Sequence, residues 1–128
     1  MPWYPAKFTV CVDFDGVLNN YVGYIEGYTY PFTDAGIQFL RDLKMMGFNI
    51  VILTSARLAD VERGLHARGV DELVDNITNV KVPAIAYIDD RAICFHGNFA
   101  ETLEELKHFK AWWENDNTKE TPDFHIGE

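Results

Sequence analysis

The stretch FTVCVDFDGVLNN, Phe8 to Asn20, decides how this chain is read. Its first half is short, apolar and rich in Val and Phe, the composition of a strand buried on both faces of a parallel sheet. Its second half sets two aspartates, Asp13 and Asp15, one residue apart where the apolar run stops. Gly16 follows them, and glycine permits a sharp turn or a close approach of backbone to ligand.

The same pattern recurs along the chain. FNIVILT (Phe48 to Thr54) reads as a second buried strand, LVDNIT as a short, more polar third, and AIAYID (Ala84 to Asp89) as a fourth. AICF is expected to extend the sheet after a turn. Helical periods lie between them. Ile37, Leu40 and Leu43 recur every three residues, with Thr33 as N-cap and Gly47 just past the end. Leu58, Val61 and Leu65 mark a second helix that stops at Gly69. Leu103, Leu106, Phe109 and Trp113 mark one side of a C-terminal helix starting near Phe99. Alternating strands and helices predict an α/β fold, a three-layer sandwich around a mostly parallel, Rossmann-like sheet.

Composition bounds the function. A chain of 128 residues, 48% hydrophobic and 24% charged, is long enough for one domain with a sizeable core. We expect that domain over residues 1–115, followed by a polar, aperiodic tail over 116–128 that is mobile or engages a partner. Twenty acidic against eleven basic side chains give a net charge of -9. That balance argues against a protein that grips long nucleic acids through their phosphates. Cys11 and Cys94 are too few for a disulfide framework or a cysteine zinc site, and both read as small buried residues of a reducing compartment. The four histidines, His66, His96, His108 and His125, show no ligand spacing. MPWYPAKF lacks the long apolar core of a signal peptide, and no apolar run nears the roughly 20 residues of a membrane helix. A cytoplasmic protein with no membrane partner is the expectation.

In an open parallel sheet, ligands bind beyond the carboxyl ends of the strands. Three such ends carry polar residues: Asp13 and Asp15, Thr54 and Ser55, Asp89 and Asp90. Lys81 precedes the last strand. Two unit charges about 4 Å apart repel by about 1 kcal/mol in water and about 4 kcal/mol at an effective dielectric near 20. Four carboxylates in one crevice therefore call for protonation or a cation, and hard oxygen ligands favour Mg²⁺. One carboxylate of the Asp13-x-Asp15 pair can attack phosphorus while the other protonates the leaving oxygen and later deprotonates water. Thr54 can bind a phosphoryl oxygen and Lys81 can neutralise developing charge.

VCVDFDGVL, VILTSAR, Lys81 and YIDDRA together resemble the four ordered motifs of the haloacid dehalogenase (HAD) superfamily. KVPAIAYIDDRAICF is similar to small capless hydrolases of bacterial and phage type within it. The resemblance covers roughly residues 7 to 110 and implies a Mg²⁺-dependent phosphatase acting through an aspartyl-phosphate. It implies Asp13 as nucleophile and Asp15 as general acid/base. Thr54 and Lys81 take the second and third motif roles, and Asp13, Asp15, Asp89 and Asp90 hold the metal. The chain departs at one point: Val82 separates Lys81 from Pro83, where the lysine is expected to abut the proline.

No segment is long enough for a cap domain. NNYVGYIEGYTYPF instead reads as a β-hairpin flap, whose Tyr24 and Tyr28 are candidates to stack on substrate beside Gly16, Ser55 and Arg57. Plainer roles compete at each position. The aspartates can serve as turn residues, Thr54 or Ser55 as a helix N-cap, and Lys81 as a solvated surface lysine. Arg57 and Arg91 can form surface ion pairs, and the flap can pack or form a dimer contact. Trp112 and Trp113 are adjacent, so both cannot face a core. Two other functions compete with the phosphatase. One is a non-catalytic or regulatory binding protein on the same scaffold. The other is a receiver-type phosphoacceptor domain, against which the motif order tells, since here the DxD comes first and the paired acids last. The partner implied is a phosphorylated substrate of unspecified identity, with a homo-oligomer left open.

Overall fold

Four parallel strands form one sheet in the order β3-β2-β1-β4, with β1 at Thr9–Val12, β2 at Asn49–Leu53, β3 at Asn76–Thr78 and β4 at Ala86–Ile88. Helices α1 (Asp34–Met45) and α2 (Leu58–Ala67) join the sheet in a Rossmann-like α/β arrangement without a separate cap domain among the described residues, and a third helix, α3 (Phe99–Lys107), follows in the chain. This computed structural model describes residues 8–114. The tail expected over 116–128 lies outside them. The chain divides into two compact units, Met1–Asp89 and Asp90–Glu128.

In the first unit, β1 alternates between two apolar layers, as a central strand must. Val10 and Val12 join Ile50 and Ile52 of β2 in the main core, with Leu40, Val61 and Leu65 from the helices. Cys11 and Val51 point to the opposite face and meet Val82. Helix α1 starts where the sequence places it: Thr33 Oγ1 accepts from the Gly36 N–H at 2.9 Å. Gly47 follows the helix at φ +94°, a left-handed conformation that glycine adopts without penalty. Gly36 lets α1 lie against the turn after β1, since a Cβ there would stand 2.5 Å from the Leu18 carbonyl oxygen.

The polarity of LVDNIT has a structural cause. Asp75 exchanges bonds with Ile50 of β2, its amide donating to the Ile50 carbonyl at 2.8 Å and its carboxylate accepting the Ile50 N–H at 2.7 Å. Lys44 from α1 pairs with the same carboxylate at 3.0 Å. A charged residue thus sets the entry to β3.

Two expected features, a strand and a hairpin, are absent among the described residues. AICF forms no strand, and Cys94, expected to be buried, is exposed. A run of four residues with no partner strand gains nothing from β propensity alone. The flap is not a β-hairpin either: a single antiparallel bridge, Asn19 to Phe32, closes it. Gly23 and Gly27 take φ of +138° and +73° inside it and interrupt any ladder. The flap is ordered instead by edge-on ring contacts, Tyr21 to Tyr30 at 5.3 Å and Tyr28 to Tyr30 at 4.9 Å.

In the second unit, Asn98 caps α3 by accepting the Glu101 N–H at 3.0 Å. The helix ends at Lys107, so Phe109 and Trp113 lie beyond it rather than on its face. Trp112 is exposed while Trp113 is half-buried and donates its indole N–H to Asp90 Oδ2.

Candidate metal and catalytic site

The site grows from the register of the sheet. Val12 of β1 stands opposite Ile88 of β4, and the Asp13 N–H donates to the Ile88 carbonyl at 2.8 Å. One residue on, the two chains present Asp13 and Asp89 side by side. Neighbouring strands lie about 4.8 Å apart. Carboxylate oxygens of Asp13 and Asp89 approach within 4.8 Å of each other. Asp90, bonded directly to Asp89, is the third member of this acidic group. Two of the three are half-buried and Asp89 is exposed.

The residues fit a divalent cation. The donors are all carboxylate oxygens, which suits a hard ion. Asp90 Oδ1 is buried with no hydrogen-bond partner among the described residues, although each buried acceptor ordinarily has one. A cation beside these groups relieves the repulsion and gives such an oxygen something to bind.

Asp15 takes a different position. It is not a member of that group; its Oδ1 accepts from the Asn19 side-chain amide at 2.8 Å. Asn19 is 2% exposed and organises the whole turn. Its Oδ1 accepts from the N–H of Gly16 at 3.0 Å and of Tyr21 at 3.2 Å, while its amide also donates to the Tyr30 carbonyl at 3.2 Å. One side chain thus locks Asp15, Gly16 and the flap to one another. Gly16 has φ +84°, which explains glycine at this point. Sequence reading passed over Asn19. The signal lay in its spacing: Asn19 is four residues after Asp15, on a turn in which the Leu18 N–H donates to the Phe14 carbonyl.

Thr54 is buried at the end of β2, its amide donating to the Thr78 carbonyl at 3.0 Å and its hydroxyl accepting the Ala56 N–H at 3.0 Å. Asn79 holds the same turn by donating to the Thr54 carbonyl at 2.6 Å. Helix α2 takes Arg57, not Thr54 or Ser55, as its N-cap, and without a side-chain cap bond. Ser55 and Arg57 are exposed. Tyr24 is 81% exposed, and Tyr28 is partly exposed with its ring edge-on to Tyr30.

Lys81 contacts an aromatic ring. Its Nζ sits 4.5 Å from the centre of the Tyr87 ring, and it forms no ion pair with a described residue. Tyr87 is opposite Cys11 in the register, so Lys81 packs over a residue of β4 two positions before Asp89. Burial pushes the Cys11 thiol above its ordinary value, a shift that the nearby Lys81 charge only partly offsets.

The sequence matches no family profile. No curated protein is detectably similar to it. Solved structures are. A conserved protein from Bacteroides thetaiotaomicron is similar over 83% of this chain and 94% of its own, at 18% identity and a TM-score of 0.54. An uncharacterized protein from Listeria monocytogenes serotype 4b is similar over 54% of this chain and 44% of its own, at 22% identity and a TM-score of 0.44. This chain therefore spans less than half the length of the Listeria protein. The Bacteroides likeness is one of fold alone. No described helix is long and apolar enough to cross a membrane.

Proposed function

We propose that this chain is a Mg²⁺-dependent phosphohydrolase of HAD type that cleaves a phosphomonoester through an aspartyl-phosphate on Asp13. The observation that carries the reading is the pairing of Asp13 with Asp89 at the carboxyl ends of adjacent parallel strands, beside Asp90. In this reading residues 1–115 form the catalytic domain, residues 116–128 a polar tail, and the protein works in the cytoplasm.

Asp13, Asp89 and Asp90, with Asp15 nearby in the chain, would hold the metal, which supplies charge neutralisation to the phosphoryl oxygens. Asp13 then attacks phosphorus, forming an Asp13 O–P bond as the bond from phosphorus to the alcohol oxygen breaks. Asp15 gives its proton to that leaving oxygen. The Asn19 amide already donates to Asp15 Oδ1, so the transferable proton belongs on Oδ2. In the second half, Asp15 takes a proton from water as the water attacks phosphorus, and the Asp13 O–P bond breaks to release phosphate. The Phe14 N–H donates to Asp13 Oδ1 at 2.9 Å and fixes the orientation of the nucleophile throughout.

The competing reading, a non-catalytic binding protein on the same scaffold, has one observation in its favour: Lys81 stacks on Tyr87 and forms no ion pair with a described carboxylate. Hydrolysis of p-nitrophenyl phosphate with and without Mg²⁺, comparing wild type with Asp13→Asn, separates the two. Metal-dependent turnover that Asp13→Asn abolishes supports the phosphatase. Turnover indifferent to that substitution removes Asp13 as nucleophile, and no turnover of any phosphomonoester favours the binding protein.

A further inference from the structure

A cavity of about 500 Å³ opens between the flap and α2, outside the acidic group. Its walls are unlike the rest of this acidic chain. Phe14 and Phe32, in ring contact at 4.9 Å, form an apolar part of the lining, and Arg57, Asp60, Arg63 and Thr29 supply the polar groups. The charges do not balance. Arg63 pairs with Asp60 Oδ1, and Thr29 Oγ1 donates to Asp60 Oδ2 at 3.1 Å, so that carboxylate is fully engaged. Arg57 makes no side-chain hydrogen bond or ion pair with any described residue, leaving the cavity lining one net positive charge. In a protein of net charge -9, an unanswered guanidinium on a ligand-sized cavity is the exception that needs an explanation.

We propose that this cavity binds a second oxyanion of the substrate through Arg57, so that the substrate is a phosphomonoester whose organic part carries a further carboxylate or phosphate. The identification of the occupant as substrate rests on the phosphatase reading; the anion site itself does not. The planar fork of Arg57 suits a carboxylate or phosphate, which can accept two parallel N–H bonds from it. The Arg63–Asp60–Thr29 group holds the flap to α2 and so keeps the walls of the cavity in place. Phe14 joins the cavity to the chemistry, because it follows Asp13 in the chain and its amide holds the Asp13 carboxylate.

The test measures binding in Asp13→Asn protein, which cannot turn substrate over. Calorimetric titrations with Mg²⁺ compare glycerol 3-phosphate with 3-phosphoglycerate, ribose 5-phosphate with ribose 1,5-bisphosphate, and adenosine 5′-monophosphate with adenosine 3′,5′-bisphosphate. In at least one pair the doubly anionic ligand should bind about tenfold tighter, the worth of one charge-assisted hydrogen bond. That ratio should fall toward one in a second variant that adds Arg57→Gln, and recover only partly with Arg57→Lys. Arg57 is exposed and unpaired, so neither change threatens the fold. Equal binding within every pair, or a preference that survives Arg57→Gln, overturns the anion site. Arg57-dependent binding without turnover of any phosphomonoester by wild type keeps the anion site and overturns its assignment to a phosphatase substrate. Turnover that requires Asp13, with no Arg57-dependent preference, does the reverse.

Discussion

Asn19 carries more of the candidate site than its appearance in the sequence suggests. It accepts from two backbone amides, donates to the Tyr30 carbonyl and holds Asp15, all from a buried position. Replacing it by alanine strands several of these groups away from water, each a cost of about 1 to 3 kcal/mol if it finds no new partner. Asn19→Ala should therefore lower unfolding stability by about 3 kcal/mol, read as a shift in the urea midpoint. It should also lower turnover more than a control of equal stability loss elsewhere. A midpoint within experimental scatter of wild type would show that Asn19 is not the hub of the turn. The carboxylates themselves were legible in the sequence because they fall where apolar strands end. Asn19 was not, because its role depends on a helical turn too short to show a period. Lys81 shows the opposite limit. Its position in the chain suits the third motif, yet its ammonium stacks on the Tyr87 ring and forms no ion pair with a described carboxylate.

At the scale of elements, the junction between α1 and the turn after β1 fixes how the helix supports the site. Thr33 donates its amide to the Leu18 carbonyl at 3.0 Å, and Gly36 lies against that same carbonyl. A methyl group at Gly36 would meet backbone, which cannot swing aside as a side chain can. Gly36→Ala should raise helix propensity locally and still destabilise the protein by about 2 kcal/mol, because the clash exceeds the propensity gain. Thermal unfolding measures this, and a stabilised variant would contradict the packing described. Strands β1 and β2, both ends of α1 and the stop of α2 were readable because continuous apolar runs, a threonine cap and glycine stops act locally. The flap and the AICF segment were not. Their residues favour strands, but a strand needs a partner, AICF pairs with none among the described residues, and the glycines of the flap interrupt its own ladder. α3 was readable at its start and not at its end, since Phe109 and Trp113 continue an apolar spacing that the backbone does not follow.

At the scale of the whole molecule, the chain carries a net charge of -9, and the concentration of carboxylates at the strand ends is costly unless a cation is present. Mg²⁺ that binds the folded protein stabilises it by mass action. Adding Mg²⁺ at saturating concentration should raise the melting temperature of wild type by several degrees, as about 2 kcal/mol does for a chain of this size. Asp89→Asn should remove most of that rise. A rise of equal size in the variant would place the metal elsewhere. The parallel α/β architecture could be anticipated from the alternation of elements, and a protein of Bacteroides thetaiotaomicron shares the fold. The chemistry rests on the carboxylates and not on that likeness.

The measurement that tests the central claim most directly is mass spectrometry of protein mixed with p-nitrophenyl phosphate and Mg²⁺ and quenched in acid. An aryl leaving group needs little acid assistance, whereas release of the phosphoryl group from Asp13 needs Asp15 to activate water. The account predicts a phosphoryl group on the peptide containing Asp13, more of it in Asp15→Asn than in wild type, and none in Asp13→Asn. Turnover with the phosphoryl group on another residue, or with none at any quench time in Asp15→Asn, would contradict it.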